Sequence, residues 1–471
     1  MNRGVAMSYD PPANALDGYG DFAPPATPPG SYIFGFVLLL LVNAVLFIRP
    51  AEILPALQAL PIYELLMVGC MIASFTAILQ QFEPRALAHH PMTFCVLVML
   101  VSVLFSHLFN GNLFLAREYA LDFLKVVLFY LMLVGLVNSI HRLRLFLQVT
   151  AVYIFIIASL SLLHHYDFIQ LDALEAMAQL GGLDEETGER TATIRLQASG
   201  IFNDPNDFSL ILCVGILVVT HMLLESKRKL VKLACLLPLA VYMFALALTR
   251  SRGGFLAMVA GVMVTLVSRM GWKKGMAIGF LCLPPMLVAF GGRQTNFNFD
   301  EGDTGHGRVA IWRDAIQMFK GAPVFGAGRG EMAEQLYIAA HNSFVHSYAE
   351  LGLLGGTAFL ALFFIPLYCL RLHGAATTEK LEGESPEKAE VRRWRPCVLA
   401  IVCSYGMGLC SLSRAYVVVT YLVLGIAAVY LSLAVTYRTI APPAVGMLFK
   451  KVMLASVGFL FVLYVFVRVV T

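Results

Sequence analysis

The sequence predicts an all-α polytopic membrane protein with about twelve or thirteen transmembrane helices. Three observations carry that reading. Of the 471 residues, 59% are hydrophobic and only 14% charged, whereas soluble domains carry about 25% charged residues. Mean hydropathy is +0.75, more apolar sequence than a soluble core absorbs. The apolar residues also fall into runs of about 17 to 22, the length that crosses roughly 30 Å of hydrocarbon as a helix.

Spans are expected near 32–48, 62–79, 92–108, 121–139, 145–163, 206–224, 230–248, 253–268, 275–290, 352–370, 396–411, 417–436 and 451–469. The tight turns within 253–290 leave twelve as the alternative count. Residues 1–30, rich in Pro, Gly and Ala and lacking a signal-peptide apolar core, read as a disordered tail, with the first span as an uncleaved insertion signal. Residues 31–471 then form a single membrane domain. The nine cysteines fall in or beside spans with no CxxC pair, which suits small apolar packing better than disulfides or a thiolate metal site.

Orientation follows from the basic residues. With the N-terminus in the cytoplasm, the inside loops collect almost every lysine, including Lys227, Lys229, Lys232, Lys273, Lys274 and Lys388, as the positive-inside rule requires. Two outside loops are long, 164–205 and 291–351. Inside, only 371–395 is sizeable, a mixed-charge linker without a Walker loop or DxD motif, so no nucleotide is expected to be consumed there. The outside basic residues are nearly all arginine: Arg190, Arg195, Arg250, Arg252, Arg293, Arg308, Arg313 and Arg329. Arginine captures phosphate or carboxylate oxygens in a planar fork. An outer surface of this kind points to an anion at the membrane–water boundary, or more plainly to lipid phosphates.

Four outside segments hold the candidate chemistry. In "RLQASGIFNDPNDFSLIL", Asn203, Asp204, Asn206 and Asp207 are accounted for by capping of the next helix, with Pro205 in its first position. Capping does not account for Arg195, which stands near the same anion-attracting helix end. In "LTRSRGGFLAMVAG" a tight outer turn carries Arg250 and Arg252 ahead of Gly253 and Gly254. Those arginines either snorkel to the interface or form a rigid phosphate site. In "GRVAIWRDAIQMFKG", Val309, Trp312, Ile316 and Phe319 share one face of an amphipathic helix suited to the membrane surface. The glycine-rich "GAPVFGAGRGEM" that follows reads as a flexible connector. Last, "HNSFVHSYAELGLLGG" puts Asn342, His346 and Glu350 on one helical face. His341 at its start is either a satisfied interfacial histidine or a general base, since its ordinary pKa of about 6.5 permits proton acceptance near neutral pH. Asp300, Glu301 and Asp303 lack EF-hand spacing, so no calcium site is expected.

The ordered set "RLQASGIFNDPND", "TRSRGG", "GRVAIWRDAIQMFKGAPVFGAGRGEM" and "HNSFVHSYAELGLLGG" resembles the O-antigen ligase and polymerase family over roughly 195–356. Members show an N-P-N element, where this chain has Asp204 in place of the first asparagine. They also show an S-R-G-G turn, an R-x-x-x-W helix before P-x-x-G-x-G, and an H-N pair shortly before E-L-G. The resemblance implies a GT-C-like membrane glycosyltransferase of the bacterial inner membrane. Its donor would be an undecaprenyl-diphosphate-linked glycan and its acceptor a hydroxyl of lipid A–core or another glycan, at the periplasmic face. It implies His341 as the residue that activates or orients the acceptor, and Arg252 with Arg195 as the diphosphate-binding arginines. Arg190 is the alternative to Arg195. Arg250, Arg308, Asn342 and Glu350 are implied in substrate binding or in shaping the loop. Transfer would invert the anomeric carbon without metal or other cofactor, and membrane lipids are partners while nucleic acid is not. Ligase is preferred over polymerase. A lipid-glycan transporter is the reading from another class, and Lys125, inside the fourth span, is the residue that favours it. A non-catalytic scaffold is the remaining one.

Overall fold

Apolar runs of this length become helices because backbone N–H and C=O groups in hydrocarbon have no water to bond and must pair within the segment. The computed structural model describes residues 32–53, 55–57, 60–171, 177–183, 190–290, 304–337, 339–371, 383–441 and 444–470. The expected tail over 1–30, the acidic residues 300–303 and Arg293 lie outside the described residues. In chain order the elements are α1 (Ile33–Ile48), α2 (Pro50–Ile53), α3 (Ile62–Gln80), α4 (Pro84–His89), α5 (Pro91–Leu108), α6 (Leu113–Leu136), α7 (Ile140–His165), β1 (Met177–Leu183), β2 (Arg190–Arg195), α8 (Pro205–Glu225), α9 (Lys229–Thr249), α10 (Arg252–Met270), α11 (Trp272–Ala289), α12 (Thr304–Gly321), α13 (Glu331–Leu336), α14 (Ser343–Arg371), α15 (Pro386–Leu409), α16 (Val418–Thr436) and α17 (Val445–Val470).

Each of the thirteen expected spans has a helix. Among the described residues, eleven helices are long and apolar enough to cross a membrane. The two expected spans outside that set have helices of a different make. Helix α11 carries Lys273 and Lys274 in its first turn and Pro284 and Pro285 inside it, and the first half of α15 is charged, with Glu387, Lys388, Glu390, Arg392, Arg393 and Arg395. One boundary differs more. The fourth span was expected from 121, but α6 begins at Leu113, where the Asn112 side chain accepts from Leu115 N–H at 3.0 Å. Arg117, Glu118 and Asp122 depress the hydropathy of its first turns without stopping the helix.

The centre is formed by α8 and α16, which are buried along nearly their whole length. Around them α8 packs on α7, α9, α10 and α15, while α16 packs on α6, α14 and α15. A helix enclosed on all sides has no reason to be amphipathic, which is why both read as uniform apolar runs. Antiparallel strands β1 and β2 form a hairpin before α8.

Two expectations are corrected here. The apolar face of α12 does not lie on the membrane surface but packs on α14 and α17. Val309 and Ala315 are buried, Trp312 meets Phe466 at 6.0 Å between ring centroids, and Phe319 meets Tyr348 edge-on at 6.1 Å. The glycine-rich stretch is not a flexible connector but a clasp. Helix α14 breaks at Gly352 (φ 64°, ψ −159°), a region open essentially to glycine alone. The preceding loop fills the break. Leu353 N–H donates to the Pro323 carbonyl at 2.8 Å, and the N–H groups of Ala327 and Gly328 donate to the carbonyls of Ala349 and Glu350 at 3.1 and 3.0 Å. Gly326, at φ 79°, comes so near the Glu350 backbone that a Cβ there would overlap it.

Candidate functional site

One end of the bundle gathers the starts of α8, α10 and α14 and the ends of α9 and α15. The chain leaves β2 along α9, with Leu196 N–H donating to the Leu248 carbonyl at 3.0 Å. This seats Arg195, whose side chain is buried. Its Nε donates to the Thr249 carbonyl at 2.8 Å and its Nη2 to Asn206 Oδ1 at 2.9 Å. Asn206 Oδ1 also accepts from Ser251 Oγ at 2.8 Å, so one amide ties Arg195 to the S-R-G-G turn. Ser251 caps α10 through Gly254 N–H at 3.1 Å, and Arg252 is the first residue of that helix, half-buried. The two glycines serve close packing: a Cβ on Gly253 would overlap Ser411 Oγ, and one on Gly254 would overlap Ser209. Of the residues read as caps, Asp204 does cap α8, accepting from Asn206 N–H at 2.7 Å. Asn206 and Asp207 have side-chain partners far along the chain.

His341 stands two residues before α14. It is half-buried in the left-handed region at φ 49°, an uncommon place for a residue with a Cβ. Elements on both sides hold it there. Asn342 caps α14, its Oδ1 accepting from Phe344 and Val345 N–H at 3.0 and 3.2 Å. Trp312 Nε1 donates to the carbonyl of Ala340 at 2.9 Å, so the R-x-x-x-W helix grips the residue just before the histidine. Arg308 lies one turn before Trp312 on the same face. Burial, reinforced by the charges of Arg308 and Arg414 and opposed by Asp204, holds the His341 imidazole below its ordinary pKa of 6.5.

Arg414 was absent from the candidates read from the sequence. In the α15–α16 turn, it donates from Nε to Asp207 Oδ1 and Oδ2 at 2.8 and 2.7 Å and lies 3.5 Å from Asp204 Oδ2. Its backbone N–H donates to Ser343 Oγ at 2.8 Å, and Ser343 Oγ donates to the Leu412 carbonyl at 2.6 Å. It thus joins the start of α8 to the start of α14, across the site. Arg414→Ala would strand the Asp207 carboxylate. A fall in stability of about 3 kcal/mol is expected, read as a lower melting temperature in detergent and partly restored by adding Asp207→Asn.

The remaining candidates are placed elsewhere or partly. Arg250 closes α9 in the left-handed region, φ 48°, and is exposed. Arg190 pairs with Leu183 in the hairpin, and its side chain lies outside the described residues. Glu350 is fully buried: its Oε1 accepts from Gly330 N–H at 2.9 Å and meets His346 Nε2 at 2.8 Å. It therefore shares the expected helical face with His346, but its carboxylate secures the glycine clasp. Among the described residues, no three His, Cys, Asp or Glu side chains come together as a group that could hold a metal ion.

In a comparison with known families, residues 233–360 fit the family model described as O-antigen ligase. The matched stretch runs from α9 to the first half of α14 and contains Arg250, Arg252, Arg308, His341, Asn342 and Glu350. Arg195 and Arg414 lie outside it. A search of curated proteins found no match.

Proposed function

We propose that this chain, a multi-pass membrane protein whose residues 233–360 fit the O-antigen ligase family model, is a glycosyltransferase. It moves a glycan from undecaprenyl diphosphate to a sugar hydroxyl of lipid A–core, at the periplasmic face of a bacterial inner membrane. The observation that carries the reading is His341 standing under the charges of Arg308 and Arg414, at the bundle end where β2 brings Arg195 and α10 begins with Arg252. The lysine-rich loops Lys227–Lys232 and Lys273–Lys274 lie at the opposite ends of α8, α9 and α10 from Arg195 and Arg252. The positive-inside rule then puts the cluster outside and the N-terminus in the cytoplasm.

In this mechanism the acceptor oxygen attacks the anomeric carbon as its proton passes to the imidazole of His341. The bond from that carbon to the diphosphate oxygen breaks, and its electron pair leaves with undecaprenyl diphosphate. Attack opposite the leaving group inverts the anomeric centre. Negative charge grows on the diphosphate, where fixed arginines stabilise it more in the transition state than in water. Arg252 and Arg195 are assigned that work, with Arg308 between diphosphate and histidine. Asn342 and Glu350 are assigned to hold the histidine loop and the clasp, and Arg250 to the outer rim. Cation charge on the protein replaces a metal in this scheme.

The deciding experiment offers purified protein an undecaprenyl-diphosphate glycan and lipid A–core, without ATP and with EDTA. A single shift of the acceptor is the expected result. A ladder built on the lipid donor would mean a polymerase, and transport of an intact lipid-linked glycan without transfer would overturn the reading.

The pH profile provides a second check. A base works only when neutral, so transfer should rise as pH passes the pKa of His341, below 6.5, and stay level through neutrality. Arg308→Ala removes a charge that lowers this pKa, so the acid limb should move to higher pH. Asp204→Asn removes one that raises it, and the limb should move to lower pH.

A further inference from the structure

We infer that the exposed face of α6 is the lateral entry and binding surface for the lipid-anchored acceptor, where the sugars nearest its lipid are read. The inference rests on the transferase reading above and adds where the acceptor binds and through which residues. Helix α6 has 24 residues, Leu113–Leu136, roughly 36 Å at 1.5 Å per residue. With Leu136 at the inner edge of roughly 30 Å of hydrocarbon, Asp122 and Lys125 stand roughly 9 and 13 Å below the outer boundary. Both point outward: their side chains are 53% and 73% exposed. Arg117, Glu118 and Leu121 on neighbouring turns are exposed as well. Ionised groups at that depth on a helix surface mark a water-filled, functional crevice rather than a lipid-facing wall.

The stripe is continuous with the site. Lys125 Nζ lies 3.9 Å from Asp122 Oδ1, and Asp122 Oδ2 accepts from Arg329 Nη2 at 2.7 Å. The Arg329 guanidinium lies over the rings of Tyr119 and Tyr416, at 5.2 and 4.8 Å. Tyr416 is two residues from Arg414, which spans the proposed reaction site. This stripe reaches the cluster from the α5–α6–α16 side, whereas Arg195 ends β2 beside α9 and Arg252 opens α10.

The chemistry selects the occupant. A diphosphate would meet Glu118 and Asp122 and be repelled, and an alkyl chain would leave four charges without water. A sugar head offers hydroxyls that both donate and accept, so it pairs with the acidic and the basic side chains alike. Charges of both signs beside tyrosine, at hydrocarbon depth, fit a polyol carried on a lipid.

Native mass spectrometry of the detergent-solubilised protein tests this, with lipid A–core as probe and undecaprenyl diphosphate as comparison. Lys125→Leu, and the pair Arg117→Leu/Lys125→Leu, should weaken retention of lipid A–core about tenfold and leave undecaprenyl diphosphate unchanged, while Lys125→Arg keeps both. In the transfer assay the acceptor KM should rise by a similar factor with the donor KM unmoved. Equal retention of lipid A–core by wild type and Lys125→Leu, or none by wild type, overturns the binding surface and leaves Lys125 a snorkelling charge. A parallel loss of donor binding makes it a donor surface and also overturns the proposal. Selective retention by a wild type that transfers nothing would instead sink the transferase reading and leave the binding surface standing.

Discussion

Replacing His341 by asparagine is expected to slow transfer by about a hundredfold to ten-thousandfold, the usual worth of a general base, with folding intact. Asparagine is the informative choice because the position sits at φ 49°, and asparagine tolerates the left-handed region better than other side chains with a Cβ. Alanine would remove the imidazole and add backbone strain, so a loss could be blamed on the loop. Asparagine still offers hydrogen bonds to an acceptor hydroxyl but cannot take its proton. The measurement is kcat with lipid A–core beside a melting curve in detergent. A variant that melts normally and turns over as wild type does would remove His341 from the chemistry. His346 is the control: its Nε2 meets Glu350 at 2.8 Å under the clasp, so His346→Asn should affect stability before rate.

The layout of membrane helices was legible because it is written locally. Length and apolarity decide a span, and every expected one has its helix. Parts of the site were legible for the same reason: the S-R-G-G turn and the H-N pair are short, and Arg195 stood out because capping left it unexplained. What could not be read depends on contacts across the chain. Arg414 sits in "SLSRAY" with no period or motif around it, and its importance comes from Asp207, 207 residues away. Asp207 itself looked like one more acidic residue in a helix's first turn. The glycine clasp was misread because glycines suggest freedom until a partner fixes them, and the partner here is a break in α14 at Gly352. The face of α12 was read correctly, but its apolar stripe cannot say whether lipid or protein covers it.

Arg252→Ala and Arg195→Ala should both lower transfer by about a hundredfold to a thousandfold, the scale for losing one preorganised donor to a developing anion, yet they should differ in stability. Arg195 is buried, and its guanidinium donates to the Thr249 carbonyl and to Asn206. Removing it leaves both acceptors short of a charged donor, a loss of about 1.5 to 3 kcal/mol, so the melting temperature should fall with the activity. Arg252 opens α10, whose start Ser251 caps, and it is half-buried where Arg195 is buried. Its alanine variant should therefore melt closer to wild type than the Arg195 variant while losing as much rate. Lysine separates the roles further. At Arg252 a point charge restores part of the rate, because the diphosphate gains most from charge. At Arg195 lysine cannot make the two-armed contact, so stability stays low. Two variants equal in both rate and melting would mean that the arginines act as one structural unit, and the diphosphate would then need another ligand.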